Sequence, residues 1–472
     1  MALQVKTIRG RKYIYDVKSY WDKEAKKYRK TTVYMGPCVN EETREYAPKK
    51  SSVVKTSTNR EIVNFGDTNI LHRCLQNSKL NKAIEAILPD SIDTLKVLLF
   101  HKIIDGGASK SVSNWYDGNI AKVFFPNARV DSQRISEFLA SLGNENVQRQ
   151  FFKSYMSEIA DISGDVVIDS TGLENEANLP ITEYSGKSEQ NEARMIMVID
   201  RVTHMPLYFR LVAGNIVDVS TLTTTFSLMK NFGVEPAFAV MDAGYYSSDN
   251  VKSLCKSKIS FLSRLPAGRK LYSQMIEQTS QTLENPENIV VYNKRSLYIQ
   301  KVKVDLYGYV GYAYICCDIK QKGVKLDKFL RDAKDDNLTN DEIKAKIPFI
   351  GKFILVSNKE LKPEELLPLY YTRQVAETTF GFAKTKLNLL PLRVHNLQTL
   401  KGYTFLSYVA LLLSLEIQNK LKEVCTLQET LGVGHNQFCE IFDREFISLE
   451  PNRRLKEIYG MLGVMVDNGS GE

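Results

Sequence analysis

Apolar and polar positions change rhythm twice along the chain, and the changes mark its regions. The runs Lys12–Val17 and Thr31–Met35 have the composition of strands, with Trp21-Asp22-Lys23 falling in the connection between them. Glu41–Thr58 is polar and holds Pro48 followed by Lys49-Lys50, which predicts a linker. A helical rhythm follows. Leu95, Leu98, Leu99, Lys102 and Ile103 recur at helical spacing and Gly106-Gly107 ends the run. Lys110–Tyr116 and Asp131–Leu142 are further predicted helices, the second with Asp131 or Ser132 as its N-cap.

From residue 165 the texture becomes α/β. Strands are predicted at 165–169, Arg194–Asp200, Met205–Val212, Ala237–Asp242 and Ile259–Leu265, with helical periodicity over Asp218–Phe232 and Ser248–Ser257. Three strands, a helix, a strand, a helix and a strand is the element order of a ribonuclease H-like fold, although other α/β domains share it. Val290–Tyr314 alternates with period two and predicts a meander of strands, followed by a charged, partly helical stretch over Lys320–Lys346. Gly351–Ser357 predicts another strand, and one long helix is expected from about Pro363 to Leu389. The resulting division is a β-rich module at 1–58, a helical region at 59–160, an α/β core at 161–265 and 351–425, a β-rich insertion at 266–350, and a helical tail at 426–472.

Charge adds a partner to this picture. The chain has 472 residues and a net charge of +8, whereas residues 1–60 alone hold 15 Lys+Arg against 6 Asp+Glu, or +9. The remaining 412 residues therefore sum to −1. A basic module on a near-neutral body suits a polyanion, nucleic acid first, although a solvated basic face has the same composition. The helices of 59–160 could form a DNA-binding bundle or a plain scaffold. Met1–Gly10 is basic and has no apolar run of the secretory kind, and the apolar stretch Gly402–Leu415 is too short to span a bilayer. A cytoplasmic location is expected. The seven cysteines show no CxxC pattern, so reduced buried thiols are expected and a zinc site is not.

The chemistry lies in three acids. Asp169 and Asp242 each close a short apolar run and precede small residues, Ser170-Thr171-Gly172 and Ala243-Gly244. A carboxylate at the end of a buried strand faces the crevice where open α/β sheets place ligands. Two such acids repel unless a cation or proton lies between them, and oxygen-only ligands suit Mg²⁺ or Mn²⁺. Each Asp could equally cap the element after it. The third acid is Glu377. On a helix, Tyr370, Arg373, Glu377 and Lys384 fall within about 60° of one another and present a phenol, a guanidinium, a carboxylate and an ammonium on one face. That face suits a phosphodiester, or simple intrahelical ion pairing.

Tyr370-x2-Arg373-x3-Glu377-x6-Lys384 resembles the Y-R-E-K motif of DDE transposases from bacterial insertion sequences of the fourth family and its relatives. Asp169-Ser170-Thr171 resembles the first-Asp motif of that group, and Asp242-Ala243-Gly244-Tyr245-Tyr246 the second. The β-rich insertion before the Glu377 helix is similar too. The opening segment, with Tyr15, Tyr20-Trp21-Asp22 and Val33-Tyr34-Met35-Gly36, resembles a long-chain branch of these proteins.

The resemblance implies a ribonuclease H-like core in which Asp169, Asp242 and Glu377 bind two Mg²⁺ or Mn²⁺ ions, and Tyr370, Arg373 and Lys384 hold phosphates. It implies metal-dependent cutting and joining of double-stranded DNA at element ends, by a homodimer associated with a prokaryotic nucleoid. A ribonuclease H-like nuclease without strand transfer, or a non-catalytic DNA-binding descendant, are the alternatives. A glycosidase with paired carboxylates fits poorly, given the cationic helix face and two tryptophans. Gly214-Asn215-x2-Asp218 resembles a further family pattern, and equally a turn followed by a helix cap. Relatives place a tryptophan in the insertion to take up a flipped base during hairpin formation. Here Trp21 and Trp115 both lie outside it, leaving Tyr292, Tyr298, Tyr307, Tyr309, Tyr312 and Tyr314 as possible stacking groups.

Overall fold

The apolar runs of the α/β region form one nine-stranded sheet, and that sheet places the acids. The computed structural model describes residues 2–8, 11–22, 26–47, 60–107, 109–159, 162–175, 179–184, 191–216, 218–390, 394–442 and 445–464. Lys23 and Pro48–Thr58, which include most of the expected linker, lie outside the described residues. The chain divides into two compact units, Met1–Arg60 and Glu61–Glu472.

The first unit is a four-stranded antiparallel sheet of β1 (Ala2–Ile8), β2 (Arg11–Asp22), β3 (Lys27–Asn40) and β4 (Glu45–Tyr46) in sequence order. Trp21 is not in a connection. It pairs with Tyr28 across β2 and β3, and their rings meet edge to face at 5.0 Å. This cross-strand aromatic pair extends the ladder beyond the run that alternation alone marks.

β5 (Arg60–Asn64) starts at the boundary residue, and the second unit continues with seven helices: α1 (Gly66–Gln76), α2 (Lys79–Glu85), α3 (Ile92–Ile104), α4 (Val112–Asp117), α5 (Ala121–Phe124), α6 (Ser132–Leu142) and α7 (Glu145–Glu158). Asp131 caps α6 by accepting the Arg134 N–H at 3.0 Å, as expected from its sequence position. These helices share one apolar core with the sheet that follows, so the region is built into the body.

The sheet comprises β6 (Asp165–Glu174), β7 (Glu192–Asp200), β8 (Pro206–Ala213), β9 (Phe238–Met241), β10 (Ser260–Arg264), β11 (Ile289–Tyr292), β12 (Arg295–Asp305), β13 (Val310–Asp318) and β14 (Lys352–Ser357). Their spatial order is β11-β12-β13-β14-β10-β9-β6-β7-β8. β6, β9 and β10 run parallel, and the other pairings are antiparallel. Between the strands lie α8 (Leu222–Asn231), α9 (Ser248–Lys256), α10 (Lys270–Gln278), α11 (Ile319–Asp335) and α12 (Asn340–Lys346). The three strands, helix, strand, helix and strand read from the sequence are all present. The segment 266–350 differs from expectation in two ways. It opens with a helix, α10, ahead of its strands, and its strands extend the main sheet because β13 pairs with β14, whereas α11 and α12 fall in the stretch expected to be partly helical.

After β14 come α13 (Pro363–Tyr371), α14 (Gln374–Thr385), α15 (Leu397–Leu421), α16 (Leu427–His435), β15 (Phe438–Phe442), β16 (Glu445–Ser448) and α17 (Arg453–Leu462). β15 and β16 join β5 in a small sheet, so the C-terminal segment is not wholly helical. α15 is longer than the 14-residue run anticipated and is long and apolar enough to cross a membrane, yet it is largely buried within the fold. It packs against α6 so closely that a Cβ on Gly402 would meet the Leu139 carbonyl oxygen at 1.7 Å. Tyr155 of α7 and Tyr408 of α15 both donate to the Pro206 carbonyl, at 3.4 and 3.1 Å, tying these helices to the start of β8.

Candidate active site

Two strands bring the first two acids together. In the parallel pairing of β6 with β9, Ile168 lies opposite Met241, so the next residues, Asp169 and Asp242, emerge side by side. Their separation of 73 positions in the chain is closed by this register. Asp169 does not end its strand, contrary to the sequence reading. β6 continues to Glu174 because β7 pairs with it throughout, from Val166↔Asp200 to Glu174↔Glu192. Ser170-Thr171-Gly172 is thus ladder and not turn; β9 is the strand that stops at the acids, and Asp242 opens a tight turn over Ala243–Tyr245.

The helix carrying the third acid differs from the single rod expected. Thr372 and Arg373 separate α13 from α14, although both keep right-handed helical dihedrals. At this joint the backbone bonds tighten to i→i+3: Arg373 N–H to the Tyr370 carbonyl at 3.2 Å, and Ala376 N–H to the Arg373 carbonyl at 3.0 Å. The Thr372 hydroxyl donates to the Leu369 carbonyl at 2.7 Å, which favours the tightened turn. Pro368, inside α13, removes one more backbone donor.

Arg373 is the centre of what results. Its Nη1 donates to Asp169 Oδ2 at 3.3 Å and its Nη2 to Glu377 Oε1 at 2.8 Å. Asp169 also accepts the Ser170 N–H at 2.9 Å. Burial pushes the Asp169 carboxyl up to about 6 and the neighbouring Asp242 adds to this, while the Ser170 N–H and Arg373 oppose it. Burial works against the charge of Arg373, but Asp242 first, then Asp169, outweigh it and hold the guanidinium protonated. Tyr370, 7% exposed, lies near Asp242, Arg264 and Arg373, and burial raises its phenol above the ordinary range.

Lys384 stands apart from this group. Its charged neighbours are Glu192 and Glu174, and burial lowers its ammonium below the usual value. The predicted common face therefore resolves into a cluster of Tyr370, Arg373 and Glu377 facing the aspartates, and a lysine further along α14 facing two other acids.

Several polar residues of the site were not singled out from the sequence. Arg264, at the end of β10, is one. Another group surrounds Asp218, whose Oδ1 accepts from Ser170 Oγ at 2.5 Å and from Arg194 Nη1 at 3.0 Å. Arg194 also lies 3.7 Å from Glu192, and both are almost fully buried. Asp218 does not cap a helix with its side chain, one of the two readings its motif allowed. The surviving signal was Gly214, where a Cβ would stand 2.1 Å from the Glu192 carbonyl oxygen.

The tyrosines of the insertion separate by environment. Tyr314 is fully buried, its hydroxyl donating to the Leu361 carbonyl at 2.9 Å, and it has no face free for stacking. Tyr292 lies parallel to Tyr371 at 5.5 Å. Tyr307, at the β12–β13 turn and 39% exposed, stands 6.4 Å from Tyr246 in the segment after Asp242.

As they stand, no three acids among the described residues converge closely enough to enclose a metal ion. Arg373 lies between Asp169 and Glu377 instead. The donor set still suits a hard divalent cation: all oxygen, with two carboxylates side by side whose mutual repulsion a cation would relieve.

An acid pair on adjacent parallel strands, backed by an arginine and a third acid from a helix, defines an α/β protein with a carboxylate site where β9, an inner strand of its sheet, stops. The chain belongs to the transposase DDE domain family, whose model matches residues 163–413, more than half its length. A search of curated proteins finds no match. Among solved structures, the piggyBac transposase synaptic complex with hairpin DNA is similar, at 10% identity and a TM-score of 0.46, over 77% of this chain and 79% of that one.

Proposed function

We propose that this protein cuts DNA at the ends of a mobile element and joins those ends to a target, using a ribonuclease H-like core. Asp169, Asp242 and Glu377 would hold two Mg²⁺ or Mn²⁺ ions. The observation that carries this reading is the β6–β9 register, which sets Asp169 beside Asp242, together with the Arg373 link from Asp169 to Glu377.

Bound divalent metal would supply a polarised water or 3′-hydroxyl and a stabilised leaving oxygen. The residues around it position and neutralise. Arg373 offers five donors in a planar fork, a match for phosphate as well as carboxylate, and can pass from the acids to a backbone phosphate. Tyr370 presents a protonated phenol beside Asp242, which can donate to a phosphate oxygen. Lys384 would contact a phosphate further along the strand. The basic 1–60 module would supply the sequence-independent part of DNA affinity, and a homodimer on paired ends follows from the family resemblance.

Incubating the protein with labelled element ends and a second, unlabelled duplex tests the joining step. Covalent linkage of the two DNAs through a 3′-hydroxyl end is expected. Efficient end cutting with no joined product would make the protein a nuclease without strand transfer. Binding with no cutting under any divalent metal would make it a non-catalytic descendant.

A further inference from the structure

We infer that Asp218 is a positioning residue that fastens the segment carrying Asp169 to the segment carrying Asp242, an inference that rests on the carboxylate-site reading above. Asp218 opens a short turn, Asp218–Ser220, that lies between the two segments. Its Oδ1 accepts the Ser170 hydroxyl at 2.5 Å, and Ser170 in turn donates its backbone N–H to Asp169 Oδ1 at 2.9 Å. Its Oδ2 lies only 3.0 Å from where a Cβ on Gly244 would stand, so the turn after Asp242 rests directly against this carboxylate.

A second contact ties the same two turns. Asn250, 4% exposed, donates through Nδ2 to the Val219 carbonyl and to the Tyr245 carbonyl, both at 2.8 Å. One amide group therefore holds the 218–220 and 243–245 turns together. Arg194, buried on β7, donates to Asp218 Oδ1 at 3.0 Å and so fixes and neutralises that carboxylate. With both donors on Oδ1 and its charge matched by Arg194, Asp218 is suited to hold geometry and not to bind an ion itself.

The need for such a fastening follows from the repulsion between Asp169 and Asp242. Asp242 lies beyond the last paired residue of β9, so the strand ladder does not hold it. A carboxylate pair that drifts apart by about an ångström loses much of its affinity for a shared cation, and partners behind metal ligands typically contribute about 10- to 100-fold.

The test uses the full-length protein without DNA and titrates Mn²⁺, reading free Mn²⁺ by electron paramagnetic resonance, for wild type, Asp218→Ala, Asp218→Asn, Ser170→Ala and, as the control for the site itself, Asp169→Asn. Asp218→Ala should raise the half-saturating Mn²⁺ concentration about tenfold or more. Asp218→Asn, which keeps an oxygen for Ser170, should lie nearer to wild type. Ser170→Ala removes one hydroxyl, is the variant least able to disturb folding, and should shift the titration in the same direction. End cleavage should lose kcat with KM for DNA unchanged. Mn²⁺ titrations of Asp218→Ala and Ser170→Ala that overlay wild type, with only the melting temperature lowered, would overturn the inference. A wild-type protein whose Mn²⁺ binding is absent, or is unaffected by Asp169→Asn, would overturn the carboxylate-site reading itself and this inference with it.

Discussion

Arg373 and Asp169 lie 204 positions apart in the chain and meet at 3.3 Å, the guanidinium donating to the carboxylate while its other arm holds Glu377. One side chain thus sets two of the three acids relative to each other. Replacing Arg373 by Ala should lower end cleavage about 100-fold or more, through loss of both alignment and phosphate contact. Arg373→Lys keeps the charge but not the planar fork, and should recover only part of the loss. Single-turnover cleavage rates of the two variants check this; a Lys variant as fast as wild type would show that charge alone matters.

Glu377→Gln should abolish cleavage and leave DNA affinity nearly unchanged, because affinity rests largely on basic contacts. Parallel gel-shift and cleavage assays on the same preparation decide it. A Glu377→Gln protein that still cuts would remove Glu377 from the site.

Removal of residues 1–60 should weaken DNA binding and flatten its dependence on salt, since that segment carries a charge of +9. Affinity measured across a salt series gives the slope. An unchanged slope would place the basic footprint elsewhere on the chain.

Lys102 gives a pH dependence that is independent of the active site. Its ammonium donates to the Tyr403 hydroxyl at 2.9 Å within the body of the protein, and burial lowers its pKa from 10.5 to about 7. The folded state therefore binds this proton less tightly than the unfolded chain. The stability cost is full below about pH 7, and stability rises as pH climbs from there toward 10.5. Lys102→Met should stabilise the protein by about 1–3 kcal/mol at neutral pH, with the gain shrinking as pH rises. Tyr403 keeps the Asn388 carbonyl as its acceptor at 2.9 Å, so the substitution strands no donor. Melting temperatures of both proteins between pH 6 and 10 provide the check.

Gly402→Ala should destabilise the fold, by about 2 kcal/mol or more, because the new methyl would overlap the Leu139 carbonyl where α15 crosses α6. Denaturant unfolding measures it. A neutral effect would mean that the two helices can separate without cost.

Periodicity reached the elements whose partners are local or symmetric. The stretches Val166–Ile168, Met195–Ile199, Leu207–Phe209, Phe238–Met241 and Phe261–Leu262 are apolar and buried on both faces, and such runs are visible without knowing what covers them. The three candidate acids stood out for a related reason: two close apolar runs, and the third sits in a motif with fixed spacing. What could not be read was set by distant pairing. Asp169 appeared to end its strand because Ser170-Thr171-Gly172 has turn composition, and only the β7 ladder overrides that preference. The joint at Thr372–Arg373 hides in a sequence of good helical spacing, since dihedrals stay helical while hydrogen bonds shorten. Lys384 left the cluster because spacing gives a direction around a helix but not what that face meets. Asp218, Arg194 and Asn250 converge from separate segments, and no single stretch of sequence displays them as a group.

If Asp169 and its neighbours form the proposed metal-dependent DNA-cutting site, cutting needs both the ion and this carboxylate. The most direct test is cleavage of DNA carrying the element's own ends, in Mg²⁺ and in EDTA, by wild type and Asp169→Asn. Cuts at the ends that require Mg²⁺ and vanish in the variant are the expected result. Equal cutting by Asp169→Asn, or cutting by wild type that persists in EDTA, would show that these carboxylates do not form such a site.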